Sequence, residues 1–201
     1  MPTVLIDLPS RPAAGDPPRK HWTRLECEAL AASGLLDQQR LELIEGQLIS
    51  KMGKKRPHVN ALTLMHAWLL EVFGPRFVNP GAPIDVSPQD NPTSEPEPGI
   101  IVLNRDIRHV TSANPRPEDL HLVVEVADTT LAFDLTTKAA LYARAGIVEY
   151  WVLDVIGRRM VVHRNPQFGK YTVVMAYSEQ ESVAPLAAPQ SEFRVSNAFV
   201  Q

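Results

Sequence analysis

The sequence predicts a mixed α/β domain, one sheet with helices packed on it. Three observations carry this. Two apolar runs, "LHLVVEVA" (120–127) and "VEYWVLDV" (148–155), are continuous enough to be central strands. The stretch between them, "FDLTTKAALYARAG", has helical spacing and stops at Gly146. Beyond them, "RMVVHRN" and "KYTVVMAYS" flank a Pro166–Gly169 turn and read as a hairpin. Strand, helix, strand and hairpin in this order favour a mixed sheet over a bundle or a sandwich.

The remaining elements follow from the amino end. Five of the 18 prolines fall within residues 1–20, and "PSRPAAGDPPRK" reads as a flexible, extended arm ahead of a domain over 21–201. Thr23 is an N-cap with Glu26 three residues on, a capping box, and Gly34 closes that helix. "RLELIEGQLIS" alternates and turns at Glu45-Gly46, giving a hairpin with a carboxylate on each face. "HVNALTLMHAWLLEVF" (58–73) is largely apolar and is expected as a buried helix. Seven prolines between Pro75 and Pro98 exclude an interior helix and leave short edge strands and loops leading to Gly99. "SEFRVSNAF" is a candidate last edge segment.

Composition limits the function classes. The chain has 201 residues, which suits one domain with a substantial core. A formal net charge of −3 gives a nucleic acid no overall attraction, so only a local basic patch could hold one. The candidate is "SKMGKKRPH", with Lys51, Lys54, Lys55 and Arg56; a solvated basic loop is the plainer reading. The single cysteine, Cys27, excludes an internal disulfide and fits a reducing cytoplasm. No run reaches membrane-spanning length, and the first residues lack the pattern of a signal peptide. No phosphate-cradling glycine loop, H-E-x-x-H or G-x-S-x-G is present. His58 and His66, eight apart, do not match common ligand spacing.

The chemistry concentrates around Glu125, the one charge in its apolar strand. A buried carboxylate there has to be neutral, paired or metal-bound. Nine residues on, Asp134, Lys138 and Tyr142 at i, i+4 and i+8 share one helix face. Asp134 and Lys138 alone are also an ordinary helix-stabilising pair.

Taken together, "LELIEGQLI", "EPEPGIIVL" and "LVVEVADTT…FDLTTKAALYARAGIVEYWVLD" resemble the Uma-two family, a large bacterial group similar to the PD-(D/E)XK nucleases. The resemblance runs from about Thr23 to Ser196. It is carried most specifically by Glu125-Val126, Asp134, Lys138, Tyr142, Gly146 and Glu149-Tyr150-Trp151. It implies a restriction-endonuclease-like mixed sheet flanked by helices, DNA as the partner, and phosphodiester hydrolysis dependent on Mg²⁺ or Mn²⁺. Such proteins hold the metal between an aspartate at one strand start and a glutamate on the neighbouring strand. Hard oxygen ligands suit that ion. A nearby lysine adds a fixed cation.

Residue by residue, Glu125 matches the second acidic ligand. Ala127 stands where the standard pattern has its lysine, and Lys138 matches a lysine moved to the following helix. Glu42 matches the acidic residue of an early hairpin, an outer ligand or water-holder. His58 falls where the family often has a histidine, although an exposed cap-region histidine is as good a reading. The family's "E-P-D" reads "E-P-G" here, so Gly99 brings no ligand atom. Glu97, at i−2 on the same face, is the expected substitute metal ligand, with Glu95 and Asp85 as further candidates. The resulting expectation is a metal-dependent DNA endonuclease, weakened or silenced by Gly99. The alternatives are a non-catalytic nucleic-acid-binding or interaction protein on the same scaffold and a hydrolase of another phosphoester. A homodimer is compatible with either. Strands 122–126 and 100–103 are expected to be neighbours, and Lys138 is expected to point at Glu125.

Overall fold

The computed structural model describes residues 18–36, 39–51 and 55–200. Most of the expected arm over 1–20, and Lys54 of the basic cluster, lie outside these residues.

The core is a six-stranded sheet in the order β3 (Val78–Pro80), β4 (Ile100–Leu103), β5 (Leu120–Ala127), β6 (Glu149–Asp154), β7 (Arg159–Gln167) and β8 (Lys170–Ser178). Among the described residues, only β5 and β6 run parallel. The segment joining them is helical because a parallel pair needs a crossover. That crossover is one rod in three parts: α3 (Leu131–Phe133), a π-helical turn (Asp134–Lys138), and α4 (Ala139–Arg144). Gly146 follows at φ +78°, the left-handed conformation in which glycine ends helices at little cost.

Alternation along the central strands splits the core between the two faces of the sheet. On one face, α2 (Arg56–Phe73) packs Ala61, Met65 and Leu69 against Ile100, Val102, Leu122, Val124 and Trp151. Trp68 stacks on Trp151 at 6.3 Å between ring centroids. On the other face, α4 and the hairpin β1 (Leu41–Ile44) and β2 (Gln47–Ser50) cover Ile101, Val123, Tyr150 and Val152 with Ile44, Leu141 and Tyr142.

Strands 100–103 and 120–127 are neighbours, with Ile100 opposite Val124. The capping box on α1 (Arg24–Ala32) forms: Glu26 N–H donates to Thr23 Oγ1, and Thr23 N–H donates to Glu26 Oε2. The proline-rich stretch supplies only β3, a 3₁₀ turn and loops.

Three expectations change. α2 is not buried all round; only one stripe is, because it lies on the sheet surface and its far side faces water. The β7–β8 turn is Phe168-Gly169 rather than Pro166–Gly169, and Pro166 lies inside β7 opposite Tyr171. Phe168 at φ +50° and Gly169 at φ +75° give the two-residue turn whose twist suits a hairpin. The carboxy-terminal segment β10 (Phe193–Arg194) does not extend the main sheet. It pairs with β9 (Ser182–Val183), while Phe193 packs under α2 against Trp68. No helix among the described residues is long and apolar enough to cross a membrane.

Candidate active site

Glu125 lies two residues from the end of β5, near the carboxyl edge of the parallel pair, where open α/β sheets place their ligands. Its side chain is nearly buried, and among the described residues three donors reach it. Lys138 Nζ donates to Oε1 at 2.7 Å and Tyr142 OH to Oε1 at 3.3 Å. The backbone N–H of Gly99 donates to Oε2 at 3.1 Å. Lys138 therefore does more than point toward Glu125; it contacts it directly.

The same ammonium is 3.0 Å from Glu42 Oε1 and 4.0 Å from Asp134 Oδ1. The other oxygen of Glu42 accepts the N–H of Glu97 at 3.2 Å. Lys138, Glu42, Glu125 and Asp134 thus converge from a helix, a hairpin and a central strand, and all four are buried. Burial alone would lower the pKa of Lys138. The carboxylates of Glu125, Glu42 and Asp134 more than reverse this and raise its pKa above the ordinary lysine value.

Asp134 has the opposite fate. Burial first, and then the Glu125 carboxylate, push its pKa up to about 7, against the pull of Lys138 and of Thr130, whose hydroxyl donates to Oδ2 at 2.6 Å. The cluster is one ammonium shared by two carboxylates and a third acid that titrates near neutrality.

Around these groups is a cavity of about 150 Å³. It opens between the start of β4, the end of β5, α3 and the first turn of α2. Glu42, Glu125, Asp134 and Lys138 form its floor, while Arg40, Lys51, Lys55 and His58 stand in its wall. His58 is in that first turn, at the amino end of an 18-residue helix where backbone N–H groups and the helix dipole favour anions.

Of the substitutes proposed for the missing aspartate, Glu97 lines the cavity but is tied to a lysine, and Asp85 and Glu95 are held outside the cavity lining. Glu97 pairs with Lys51 at 2.6 Å, and Lys51 also donates to its carbonyl at 3.0 Å. Asp85 accepts from Arg24 at 2.7 Å, and Glu95 accepts from Asn114 at 2.9 Å with Arg24 at 3.7 Å. Among the described residues, no group of three or more histidine, cysteine, aspartate or glutamate side chains is arranged to hold a metal ion. Mg²⁺ demands near-octahedral oxygen ligation and gives up water reluctantly. Here both converging glutamates are bound to one lysine and position 99 offers no oxygen, so the residues present do not fit an Mg²⁺ site.

Three contributors escaped sequence reasoning. Thr130 clamps Asp134, Tyr150 OH donates to the Asp134 carbonyl at 3.1 Å, and Arg40 lines the cavity. Tyr150 and Thr130 are only 16 and 4 residues from the Asp134 they hold, but nothing in their spacing marks them out for that role.

A model of the Uma2 family, described as "Putative restriction endonuclease", matches residues 26–196. The chain belongs to the Uma2 family. Among solved structures, it is similar to one from Anabaena variabilis described as a putative nuclease belonging to DUF820. The TM-score is 0.65 at 16% identity, over 81% of this chain and 90% of that one. At that identity the likeness establishes the restriction-endonuclease-like fold for this Uma2 protein and nothing finer. No curated protein matches the chain.

Proposed function

We propose that this Uma2 protein binds a phosphodiester segment of DNA across the Glu125 cavity and, with glycine at position 99, hydrolyses it poorly or not at all. Binding is supported by the arrangement of charge. Arg40, Lys55 and the amino end of α2 surround the cavity and are suited to backbone phosphate, which supplies most of the affinity in non-specific DNA binding, whereas Lys51 beside them is engaged by Glu97. Lys138 sits on the floor as the fixed cation beneath them.

The observation behind the second half is the surroundings of Gly99. Its N–H touches Glu125, so the position lies beside the one carboxylate that matches the family's ligand. A Cβ there would meet the Val124 carbonyl at 3.2 Å and Leu62 Cδ1 at 3.5 Å. This is tight but admits a side chain after a shift of a few tenths of an ångström. An aspartate would put a second carboxylate next to Glu125, the pair that the family resemblance implies for metal.

The test uses the protein as it stands, Gly99→Asp, Glu125→Gln and the double variant. Each is assayed for binding to a fluorescent duplex by anisotropy and for plasmid cleavage in Mg²⁺ and in Mn²⁺. The expected result is salt-sensitive binding by all four and cleavage only by Gly99→Asp. Robust cleavage by the parent that survives Glu125→Gln would overturn the site assignment. Absence of duplex binding at low salt would overturn the DNA reading.

A further inference from the structure

The two edges of the main sheet are built differently. At one edge, β3 is three residues long and ends in Pro80, the short, proline-bearing kind of strand that blunts edge-to-edge pairing. At the other, β8 runs nine residues and, among the described residues, pairs only with β7. From Tyr171 to Tyr177 it carries no charge, proline or glycine. Val173, Val174 and Met175 are 39%, 54% and 51% exposed, and Thr172 and Ala176 beside them are exposed too. A long, uncharged, apolar edge strand is the type that folded proteins normally cover.

The segment is also nearly self-complementary. "YTVVMAY" reads almost the same from both ends about Val174. Two copies laid antiparallel with Val174 on the twofold axis would match Val173 with Met175, Thr172 with Ala176 and Tyr171 with Tyr177. Each is a pairing of uncharged or aromatic residues that stabilises adjacent strands. Lys170 at one end would fall opposite Ser178 of the second copy, so no like charges face each other at the ends of the apolar centre. Such a contact is isologous and closes on itself, which explains how the edge can be long without inviting open-ended stacking.

We infer that β8 is a dimerisation edge: two copies of this chain pair antiparallel through Tyr171–Tyr177 about Val174, continuing the sheet from one subunit into the next. Seven residues offer about 24 Å of edge. That is small for a specific interface, so the dimer is expected to depend on concentration in the micromolar range.

Sedimentation equilibrium on the full chain tests this directly. The parent should move from 22.3 kDa toward twice that mass as concentration rises. Val174→Lys places two like charges on the axis and should hold the protein at the monomer mass, and Val174→Glu should do the same. An equimolar mixture of the two variants should recover the dimer, which a general loss of folding could not produce. Leu25→Lys, at another exposed apolar position on α1, should leave the dimer intact. A parent that stays monomeric at the highest concentration, a dimer that persists in Val174→Lys, or a mixture that fails to reassociate although both variants show the parent's thermal unfolding would each overturn the inference.

Discussion

Replacing Lys138 with methionine removes the single cation from the floor of the cavity and leaves its volume almost unchanged. Packing should then survive, and what is lost is electrostatic. Lys138 is 4% exposed, and its nearest acids, Glu125 and Glu42, are 10% and 6% exposed at their side chains. Removing one partner from a buried ion pair typically costs about 3–5 kcal/mol, because the remaining charge stays buried and uncompensated. Two carboxylates lose their counter-ion here, but Glu125 keeps the Tyr142 hydroxyl and the Gly99 N–H, and Glu42 keeps the N–H of Glu97. The same range of about 3–5 kcal/mol is therefore expected near pH 8, equivalent to a fall in Tm of roughly 6–20 °C for a chain of this size.

The sign of the pH dependence follows. Without Lys138 two buried carboxylates lose their counter-charge, a cost that falls on the charged form of the site, is relieved in acid and grows as pH rises. The variant should be close to the parent at pH 4–5 and furthest from it at pH 8. Differential scanning calorimetry across that range, with Glu125→Gln/Lys138→Met as the partner in a double-mutant cycle, reads both quantities. A deficit below about 1 kcal/mol at pH 8, or one that grows toward acid, would falsify the picture of a lysine holding buried carboxylates together.

Other outcomes follow from the same geometry. Asp134 has a folded pKa of about 7 against an ordinary 3.8, so it favours folding below pH 4 and that contribution disappears as pH rises to 7; Asp134→Asn should remove this slope and stabilise the protein at pH 8 in urea titrations. Without metal, Gly99→Asp should lower stability by about 1–2 kcal/mol, from the close Val124 carbonyl and a second carboxylate beside Glu125, and Mn²⁺ should raise its Tm while leaving the parent's unchanged. Glu149 is fully buried and accepts from Trp151 Nε1, Arg164 and the Leu186 N–H; Glu149→Leu should cost roughly 3 kcal/mol in guanidinium unfolding, with no effect on DNA binding.

What the sequence reveals of this site depends on how far apart the partners lie along the chain. Lys138 and Tyr142 are found from Glu125 by spacing, because helix periodicity fixes which side chains face the sheet and only one charge interrupts β5. The strand order 100–103 beside 120–127 follows from apolar runs and the family resemblance. The Glu97–Lys51 pair is different. It joins residues 46 apart through a hairpin packed over the sheet, and no local pattern encodes which of several acids near Gly99 a lysine will take. Glu97 shares a strand face with position 99 in principle, yet Pro98 interrupts the extended stretch and only the fold shows where that side chain goes. The Phe168-Gly169 turn was obscured by Pro166, which looks like a strand breaker but sits where β7 tolerates it. Phe193 reads in the sequence only as part of a candidate last edge segment; that it ends up beneath Trp68 reflects tertiary packing rather than strand propensity.

The π-helical turn from Asp134 to Lys138 sets the phase of the whole cluster. Ala139 N–H reaches back five residues to the Asp134 carbonyl, so this turn holds one residue more than an α-helical turn would. Asp134 and Thr130 stand before that extra residue; Lys138, Leu141 and Tyr142 stand at its end or beyond it. Deleting Thr136 or Thr137 would let the turn close as ordinary α-helix and bring Asp134 from four residues before Lys138 to three, changing how the two side chains face each other while Tyr142 stayed packed on the sheet. The spacing of a charged site against an apolar core is thus tuned by a single residue in the loosest turn of the helix, a place where gain or loss of one amino acid would re-aim the chemistry and leave the fold standing.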